Sequence, residues 1–192
     1  MAADGMDQNG LVEVQVQSLG LDRASNTPVV ILQETAGERV LPIWIGPGEA
    51  SAIAMQLAEM KFSRPLTHDL LISVLSGLGG TMSRVVITRV ADNTYYAELV
   101  IERGGELFRV DARPSDSIAV ALRSEARIFA HEGLLERASI EITEGEDPED
   151  FQVEGQGGEV DPEEDDASLM SPEELEEYLR KLNPEDFGRF SP

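Results

Sequence analysis

Two stretches of the sequence, Arg64–Leu71 and Arg113–Leu122, follow one pattern: Arg-Pro, then Thr or Ser, then Asp, then apolar residues at helical spacing. A proline holds the preceding residue extended, so each arginine is presented beside a helix start. The free N–H groups there favour an anion, and a guanidinium adds two-pronged recognition of phosphate. The pattern therefore predicts that Arg64 and Arg113 bind phosphate. The alternative is that each arginine pairs with a neighbouring aspartate.

Four carboxylates fall at the ends of predicted helices and strands, where loops gather: Glu49, Asp69, Asp111 and Asp116. Mg²⁺ and Mn²⁺ prefer oxygen ligands, and a bound divalent cation polarises a phosphodiester and activates water. We predict that Glu49, Asp69 and Asp116 converge to hold Mg²⁺ or Mn²⁺. The alternative is that they are first-turn acids that satisfy free N–H groups and the helix dipole.

Both motifs also contain residues that could move a proton or contact a substrate. His68 is one of 2 histidines, and an imidazole suits a general acid or base or a metal ligand. Adjacent helical residues point apart, so we do not expect His68 to pair with Asp69. Thr67 and Ser115 are predicted to cap their helices and to line the substrate site.

The elements that position these residues follow from hydrophobic periodicity. Alternating residues predict a strand over 11–19, and two more buried strands over 28–34 and 39–45 predict a hairpin. Further strands over 83–90, 94–102 and 106–112 predict a meander. Helices are predicted over 49–60, after a turn at 46–48, over 68–78 with Thr67 as the cap, over 116–124 and over 131–138, with short strands at 127–130 and 139–142. The fold class is therefore α+β: a mixed, largely antiparallel sheet with hairpins and a meander, packed against three to four helices.

Composition removes several classes of protein. The chain has 192 residues and 0 cysteines, which excludes disulfides, thiolate zinc sites and cysteine nucleophiles. No nucleophile elbow, Walker motif or zinc-ligand spacing occurs in the sequence. The net charge of −22 is concentrated after position 143, where 18 acidic and 3 basic residues give a balance of −15. The negative field repels nucleic acid, so a nucleic-acid site needs a local arginine cluster or a bound cation.

The charge distribution also predicts the domain organisation. We expect a disordered N-terminus over 1–10, one domain over 11–143 and an acidic disordered linker over 144–170. A short C-terminal helix is expected over 171–192, because Ser171 and Pro172 suit a helix start. Neither a secretory signal nor a membrane-spanning stretch is found, so we expect a cytoplasmic protein.

Four stretches occur together in this order: LPIWIGPGEASAIAMQL, RPLTHDLL, TYYAELVIERGGE and DARPSDSIAVALR. In this combination the sequence resembles the bifunctional nuclease domain family over about 11–142. The resemblance implies a compact α+β domain, self-association, and cleavage of RNA and DNA. The shared positions are Trp44, Gly46, Glu49, Ala50, Arg64, Pro65, Thr67, His68, Asp69, Asp111, Arg113, Pro114, Ser115 and Asp116.

These observations lead to the prediction of a metal-assisted nuclease acting on RNA or DNA. Glu49, Asp69 and Asp116 would hold the cation and act in catalysis, Arg64 and Arg113 would bind the phosphate, and His68 would move a proton. Two rivals stay open: a non-catalytic module that binds an anion or nucleotide, and a structural oligomeric domain in which the motif residues form internal ion pairs. The partners expected are nucleic acid and a second copy of the chain. The acidic tail would bind a protein partner or its own cleft, or would only keep the chain soluble.

Overall fold

The computed structural model describes residues 6–7, 10–22, 25–92 and 94–141. The predicted acidic linker over 144–170 and the predicted helix over 171–192 lie outside the described residues. Most of the predicted disordered segment over 1–10 lies outside them as well, but Met6–Asp7 forms a short strand. The domain bounds of 11–143 stay a prediction.

Nine strands and four helices occur in the described part of the chain, and most lie where the sequence predicts them. Two of the strands, β1 and β9, have 2 residues each. In chain order the elements are β1 (Met6–Asp7), β2 (Leu11–Asp22), β3 (Thr27–Glu34), β4 (Arg39–Trp44), α1 (Pro47–Leu57), α2 (Thr67–Gly77), β5 (Gly80–Ala91), β6 (Thr94–Arg103), β7 (Glu106–Ala112), α3 (Pro114–Ser124), β8 (Arg127–His131), α4 (Glu132–Ala138) and β9 (Ile140–Glu141).

The described strands form one mixed sheet in the order β7-β6-β5-β8-β2-β3-β4-β9, with β1 beside β2. The predicted β3–β4 hairpin and the predicted β5–β6–β7 meander are both antiparallel. Among the described strands only β5 and β8 pair in parallel. A parallel pair needs a long crossover, and the chain supplies it by passing through β6, β7 and α3. The α+β prediction is therefore confirmed.

The main core lies between one face of the sheet and helices α1, α3 and α4. Helix α3 buries the continuous segment Ser117–Ala121, and α1 buries Ala50 and Ile53. Helix α2 differs, because none of its residues is buried. It contacts α3 and β5 but leaves much of its apolar surface exposed. The starts of α1 and α3 are thus fixed by core packing, whereas α2 packs against the core only through partly buried side chains such as Ile72.

Helix α2 does not start as the sequence predicts. It begins at Thr67, with Leu66 as its N-cap, so the prediction that Thr67 caps the helix is wrong. The Leu66 N–H donates to Asp69 Oδ2 at 2.8 Å. The carboxylate therefore reaches back to the start of the helix, and no hydroxyl is needed there.

Helix α3 also starts earlier than predicted. Its first residue is Pro114 and its N-cap is Arg113, which has the extended conformation imposed by the following proline. Proline suits the first helical position because it has no N–H to satisfy. Ser115 consequently lies inside the first turn, where it is buried, and the prediction that it caps the helix is wrong.

Candidate functional site

The first turns of α1, α2 and α3 meet at one place on the surface. Four polar side chains from these turns contact one another there, and we call them the helix-start cluster: Glu49, His68, Arg113 and Asp116. Each was predicted from sequence as a site residue. The two motifs that share a pattern in the sequence therefore also share a site in space.

Arg113 joins two of the carboxylates. Its Nε and Nη2 donate to Asp116 Oδ2 and Oδ1 at 2.7 and 3.1 Å, and its Nη1 lies 2.7 Å from Glu49 Oε1. The Arg113 side chain is 64% exposed. Because this guanidinium is in contact with water, the cluster is not an internal ion pair sealed in the core.

His68 contacts the same aspartate from the other motif. Its Nε2 lies 3.3 Å from Asp116 Oδ1, and the two residues are 48 positions apart in the sequence. The imidazole is 16% exposed, so it is more buried than the arginine. In the tautomer that carries a proton on Nε2, this nitrogen donates to the carboxylate and the second ring nitrogen is left as a proton acceptor.

The arginine controls the ionisation of Asp116. Hydrogen bonds from Arg113 lower the pKa of the Asp116 carboxyl below its usual value, partial burial opposes this, and His68 adds a smaller lowering. The same bonds raise the pKa of the Arg113 guanidinium above its usual value. Both groups are therefore charged across the neutral range, and Asp116 is available as an anionic partner for His68.

Asp69 takes part in a second set of contacts. Arg123 Nε donates to Asp69 Oδ1 at 2.7 Å, and the other guanidinium nitrogens donate to the carbonyls of Ala119 and Ala52 at 3.0 Å each. The Arg123 side chain is only 6% exposed. Since Ala52 lies in α1, this one arginine joins α1, α2 and α3 and fixes the position of the turn that carries His68.

Sequence reasoning did not identify Arg123 as a site residue. A basic residue in the last turn of a helix is expected from the helix dipole, and Arg137 occupies the equivalent place in α4. Arg137, however, is exposed, and among the described residues it donates only to Gly133 of its own helix. The one available signal was that Arg123 follows the long apolar run of α3, which indicates a buried helix end.

The remaining predicted residues lie outside the cluster contacts. Arg64 is exposed in the connection before α2, and its side chain forms no ion pair with any residue that the structure describes. Thr67 is exposed, and Ser115 is buried at 7% exposure. Asp111 is exposed on β7, where it lies opposite Glu98.

Glycine at position 46 allows Glu49 to adopt its place in the cluster. Gly46 is the N-cap of α1, and a Cβ at this position would collide with Glu49 Oε2. Trp44, two residues earlier, is 37% exposed, and its Nε1 donates to Asp22 Oδ2 at 3.1 Å. The absence of a side chain at Gly46 therefore leaves room for the Glu49 carboxylate in the cluster. Trp44 contacts Asp22 instead.

The predicted cation ligands do not form a common binding site in this arrangement. Glu49 and Asp116 are both turned toward Arg113, and the Asp69 oxygens accept from Arg123 and the Leu66 N–H. Within the described ranges, no group of three or more His, Cys, Asp or Glu side chains could hold a metal ion. We therefore derive no reaction step through Mg²⁺ or Mn²⁺.

The carboxylates of Asp69 and Asp116 predict how stability depends on pH. Hydrogen bonds from Leu66 and Arg123 lower the pKa of Asp69, with the Leu66 N–H contributing most, as Arg113 lowers that of Asp116. A carboxyl whose pKa is lowered by folding contributes stability above its unfolded pKa of about 3.9 and loses it as pH falls through the folded value. We expect the free energy of unfolding to fall steeply below about pH 4.

Urea unfolding followed by circular dichroism between pH 7 and pH 3 measures this dependence. The Asp69→Asn variant should lose less of its free energy of unfolding at low pH, because one of the carboxyls whose pKa is lowered by folding is gone. Asp92→Asn, a change in an exposed turn, is the matched control and should follow the wild-type curve. If the free energy of unfolding depended equally on pH in Asp69→Asn and in the wild type, the stabilising role assigned to the Asp69 carboxylate would be contradicted.

The fold and the cluster together define a class: an α+β domain in which a His–Asp pair and an exposed arginine share one edge. The sequence profile described as "Bifunctional nuclease domain" matches residues 30–143, which is more than half of the chain. The chain therefore belongs to the bifunctional nuclease domain family. The family prediction made from the motifs is confirmed.

Two groups of relatives accompany this match. Two uncharacterized proteins of Mycobacterium tuberculosis, from different strains, are each 36% identical over 175 residues, covering 91% of this chain and 97% of the relative. Bifunctional nuclease 2 of Oryza sativa subsp. japonica is 25% identical over 122 residues, covering 62% of this chain and 38% of that protein. No helix in the described ranges has the length and apolar character needed to cross a membrane.

Proposed function

We propose that the protein is a nuclease that cleaves phosphodiester bonds of RNA or DNA at the helix-start cluster. The observation that carries the proposal is that His68 and Arg113, from two motifs far apart in the sequence, both contact Asp116. Membership of the bifunctional nuclease domain family supports the same reaction class. The lack of cysteine suits a reducing compartment, and we propose that the protein acts in the cytoplasm.

His68 serves as the general base in this proposal. Its second ring nitrogen takes the proton from an attacking water, or from the 2′-hydroxyl of RNA, as the new O–P bond forms and the bond to the leaving oxygen breaks. The leaving oxygen takes up a proton from the solvent or from the imidazolium. Asp116 orients the imidazole and stabilises its charged form, as a carboxylate does in a catalytic His–Asp pair.

Arg113 and Arg64 bind the substrate phosphates in this proposal. A guanidinium has five N–H donors, and Arg113 uses three of its nitrogens on Asp116 and Glu49 with single contacts, which leaves two donors for a phosphate. Glu49 contacts Nη1 of Arg113, whereas Asp116 contacts Nε and Nη2. Arg64 is exposed on the chain segment leading to His68 and supplies a second cationic contact, while Thr67 and Ser115 belong to the same first turns.

A contribution from Mg²⁺ or Mn²⁺ stays a proposal with its own test. Cleavage is measured after EDTA treatment and again after each cation is restored. Loss and recovery would support a cation, in an arrangement of carboxylates that differs from the one described. Full activity in EDTA would leave acid–base chemistry by the His–Asp pair as the mechanism.

The proposed function is tested with the full-length protein on labelled RNA and labelled DNA, beside the Asp116→Asn variant. We expect cleavage by the wild type and a loss of at least about 100-fold in Asp116→Asn, because the wrong imidazole tautomer becomes favoured. Circular dichroism confirms that the variant is folded. Tight binding of oligonucleotide without cleavage by the wild type would favour the non-catalytic anion-binding module instead.

The acidic tail also stays a proposal, since residues 144–192 lie outside the described part of the chain. The tail has a charge balance of −15, so it would compete with nucleic acid for the cationic side chains of the cluster. Binding of labelled oligonucleotide at low and high salt tests this, because competition by a charged tail weakens as salt screens it.

A further inference from the structure

The face of the sheet that lies away from the helices carries three arginines side by side, which we call the arginine row: Arg84, Arg109 and Arg127. Arg84 of β5 is paired with Arg127 of β8 and with Val100 of β6, and Val100 is paired in turn with Arg109 of β7. Residues that are paired across strands lie on the same face. Leu99, next to Val100, belongs to the main core under the helices, so the row lies on the opposite face.

No described residue neutralises Arg84, the arginine at the centre of this face. Its guanidinium forms no hydrogen bond or ion pair with any residue that the structure describes, and its Nε is buried without an acceptor. A buried N–H donor without an acceptor is unfavourable, and so are like charges paired across strands, as Arg84 and Arg127 are. Arg84 is only partly buried, so an anion can reach it. An oxyanion between the two guanidinium groups would offset both unfavourable contributions.

The other two arginines of the row have partners that an incoming anion can replace. Arg127 Nη1 lies 3.5 Å from Glu13 Oε2, and Arg109 Nη1 lies 3.1 Å from Glu98 Oε2. Both arginine side chains are well exposed to water, so these surface pairs contribute little free energy. The Arg127 guanidinium also lies 5.4 Å from the centre of the Phe129 ring, a contact that restrains it without using its N–H donors.

Carboxylates on both sides of the row define the direction in which a polyanion can lie. On the same face, the next set of paired residues contains Glu13, Glu98 and Asp111, and Glu102 of β6 lies on the other side. A polyanion that ran along the strands would meet these carboxylates, whereas one that crosses the strands stays on the arginines. The row covers three strand spacings, about 14 Å. This length accommodates more than one phosphate of a nucleic acid, whose phosphates repeat every ~3.4 Å along one strand of a duplex.

We propose that the arginine row binds phosphate groups of an RNA or DNA strand, as a second contact surface outside the cleavage site. The class of ligand rests on the proposed function. The guanidinium fork matches the geometry of phosphate oxygens, which favours arginine for this contact. The row holds the strand and takes no part in the bond-breaking step.

The position of β7 connects this surface to the helix-start cluster. Among the described strands β7 is an edge of the sheet, and it carries Arg109, the last arginine of the row. Arg113 of the cluster follows β7 directly and lies about 13 Å from Arg109 along an extended chain. A nucleic-acid strand that crosses the sheet along the row therefore arrives at the edge beside the cluster.

Binding to the row is tested with full-length protein carrying Asp116→Asn, which leaves the oligonucleotide intact. The affinity for labelled single-stranded RNA and DNA is measured by fluorescence anisotropy at several salt concentrations. We expect Arg84→Gln and Arg127→Gln each to weaken binding about fivefold or more at low salt. Each should also lower the slope of log affinity against log salt by about 0.7–1, because one phosphate contact is lost.

Arg137→Gln is the matched control, since it removes an exposed arginine from α4, on the helix side of the sheet. It should leave both the affinity and the salt slope unchanged. Circular dichroism shows whether each variant is folded, and Arg127→Gln, a change in an exposed side chain, keeps the test available if Arg84→Gln unfolds. With Asp116 restored, the row variants should raise the Michaelis constant more than they lower the turnover number.

The outcomes separate this proposal from the proposed function. If the wild type binds oligonucleotide without cleaving it, and the row variants weaken that binding, the nuclease assignment fails and the row stands. If Arg84→Gln/Arg127→Gln binds and cleaves as the wild type does, the row is overturned and the nuclease stands. A mononucleotide that binds as tightly as the oligonucleotide, with the same loss in the row variants, would also overturn it, because the row would then be a site for a small anion.

Discussion

We expect the His68→Asn variant to cleave RNA or DNA about 10²–10⁴-fold more slowly than the wild type, the range over which a positioned general base accelerates proton transfer. His68 is the described imidazole that contacts Asp116, and histidine is the side chain that most often serves as a general base. Asparagine keeps a polar side chain of similar size and can still contact Asp116. It cannot accept a proton, so the loss should fall on the turnover number more than on the Michaelis constant.

The matched control is His131→Asn, which changes the second of the 2 histidines. His131 is exposed at the N-cap of α4 and has no contact with the helix-start cluster. Its variant should keep full activity. Cleavage by His68→Asn within about threefold of the wild type would remove His68 from the mechanism.

The sequence predicted the strands and helices well because each has a clear hydrophobic period. Strand β2 alternates, the β3–β4 and β5–β6–β7 turns are short, and α3 has a continuous buried side. Periodicity carries no information on which strands become neighbours when they are distant in sequence. The parallel pairing of β5 with β8 therefore appeared only in the structure.

The arrangement of the candidate site was predicted only in part, because sequence patterns report local structure and not which distant segments come into contact. Local rules placed Glu49, His68, Arg113 and Asp116 at helix starts, where they are found. They did not show that His68 and Arg113 meet on one carboxylate while Asp69 turns to a different arginine. Those choices depend on how α2 lies against α3, which no single motif encodes.

The contact between Asp69 and Arg123 leads to the second large prediction, which concerns stability. We expect Arg123→Met to lower the free energy of unfolding by about 2–4 kcal/mol, because removing one member of a buried ion pair leaves the other unpaired. The expected loss of unfolding free energy is smaller than for a fully buried ion pair, because the Asp69 side chain is 35% exposed to water. The midpoint temperature of thermal unfolding should fall by about 10 °C for a chain of this size.

Arg137→Met is the matched control, since it removes the arginine from the last turn of the other short helix, where it is exposed. Its effect should stay within about 0.5 kcal/mol. Asp69→Asn keeps an oxygen for the Leu66 N–H but loses the charge. The double variant Arg123→Met/Asp69→Asn should therefore lose less than the sum of the two single changes, by about 1 kcal/mol or more.

The activity of Arg123→Met distinguishes a positioning role from a purely structural one. Arg123 does not contact the helix-start cluster itself, but it joins α1 and α3 to the turn of α2 that carries His68. At a temperature where the variant is fully folded, we expect cleavage to fall because the imidazole is no longer held against Asp116. Arg123→Lys keeps the charge but not the fork of donors, so it should recover stability more than activity. Equal recovery of both would show that Arg123 stabilises the fold without positioning His68.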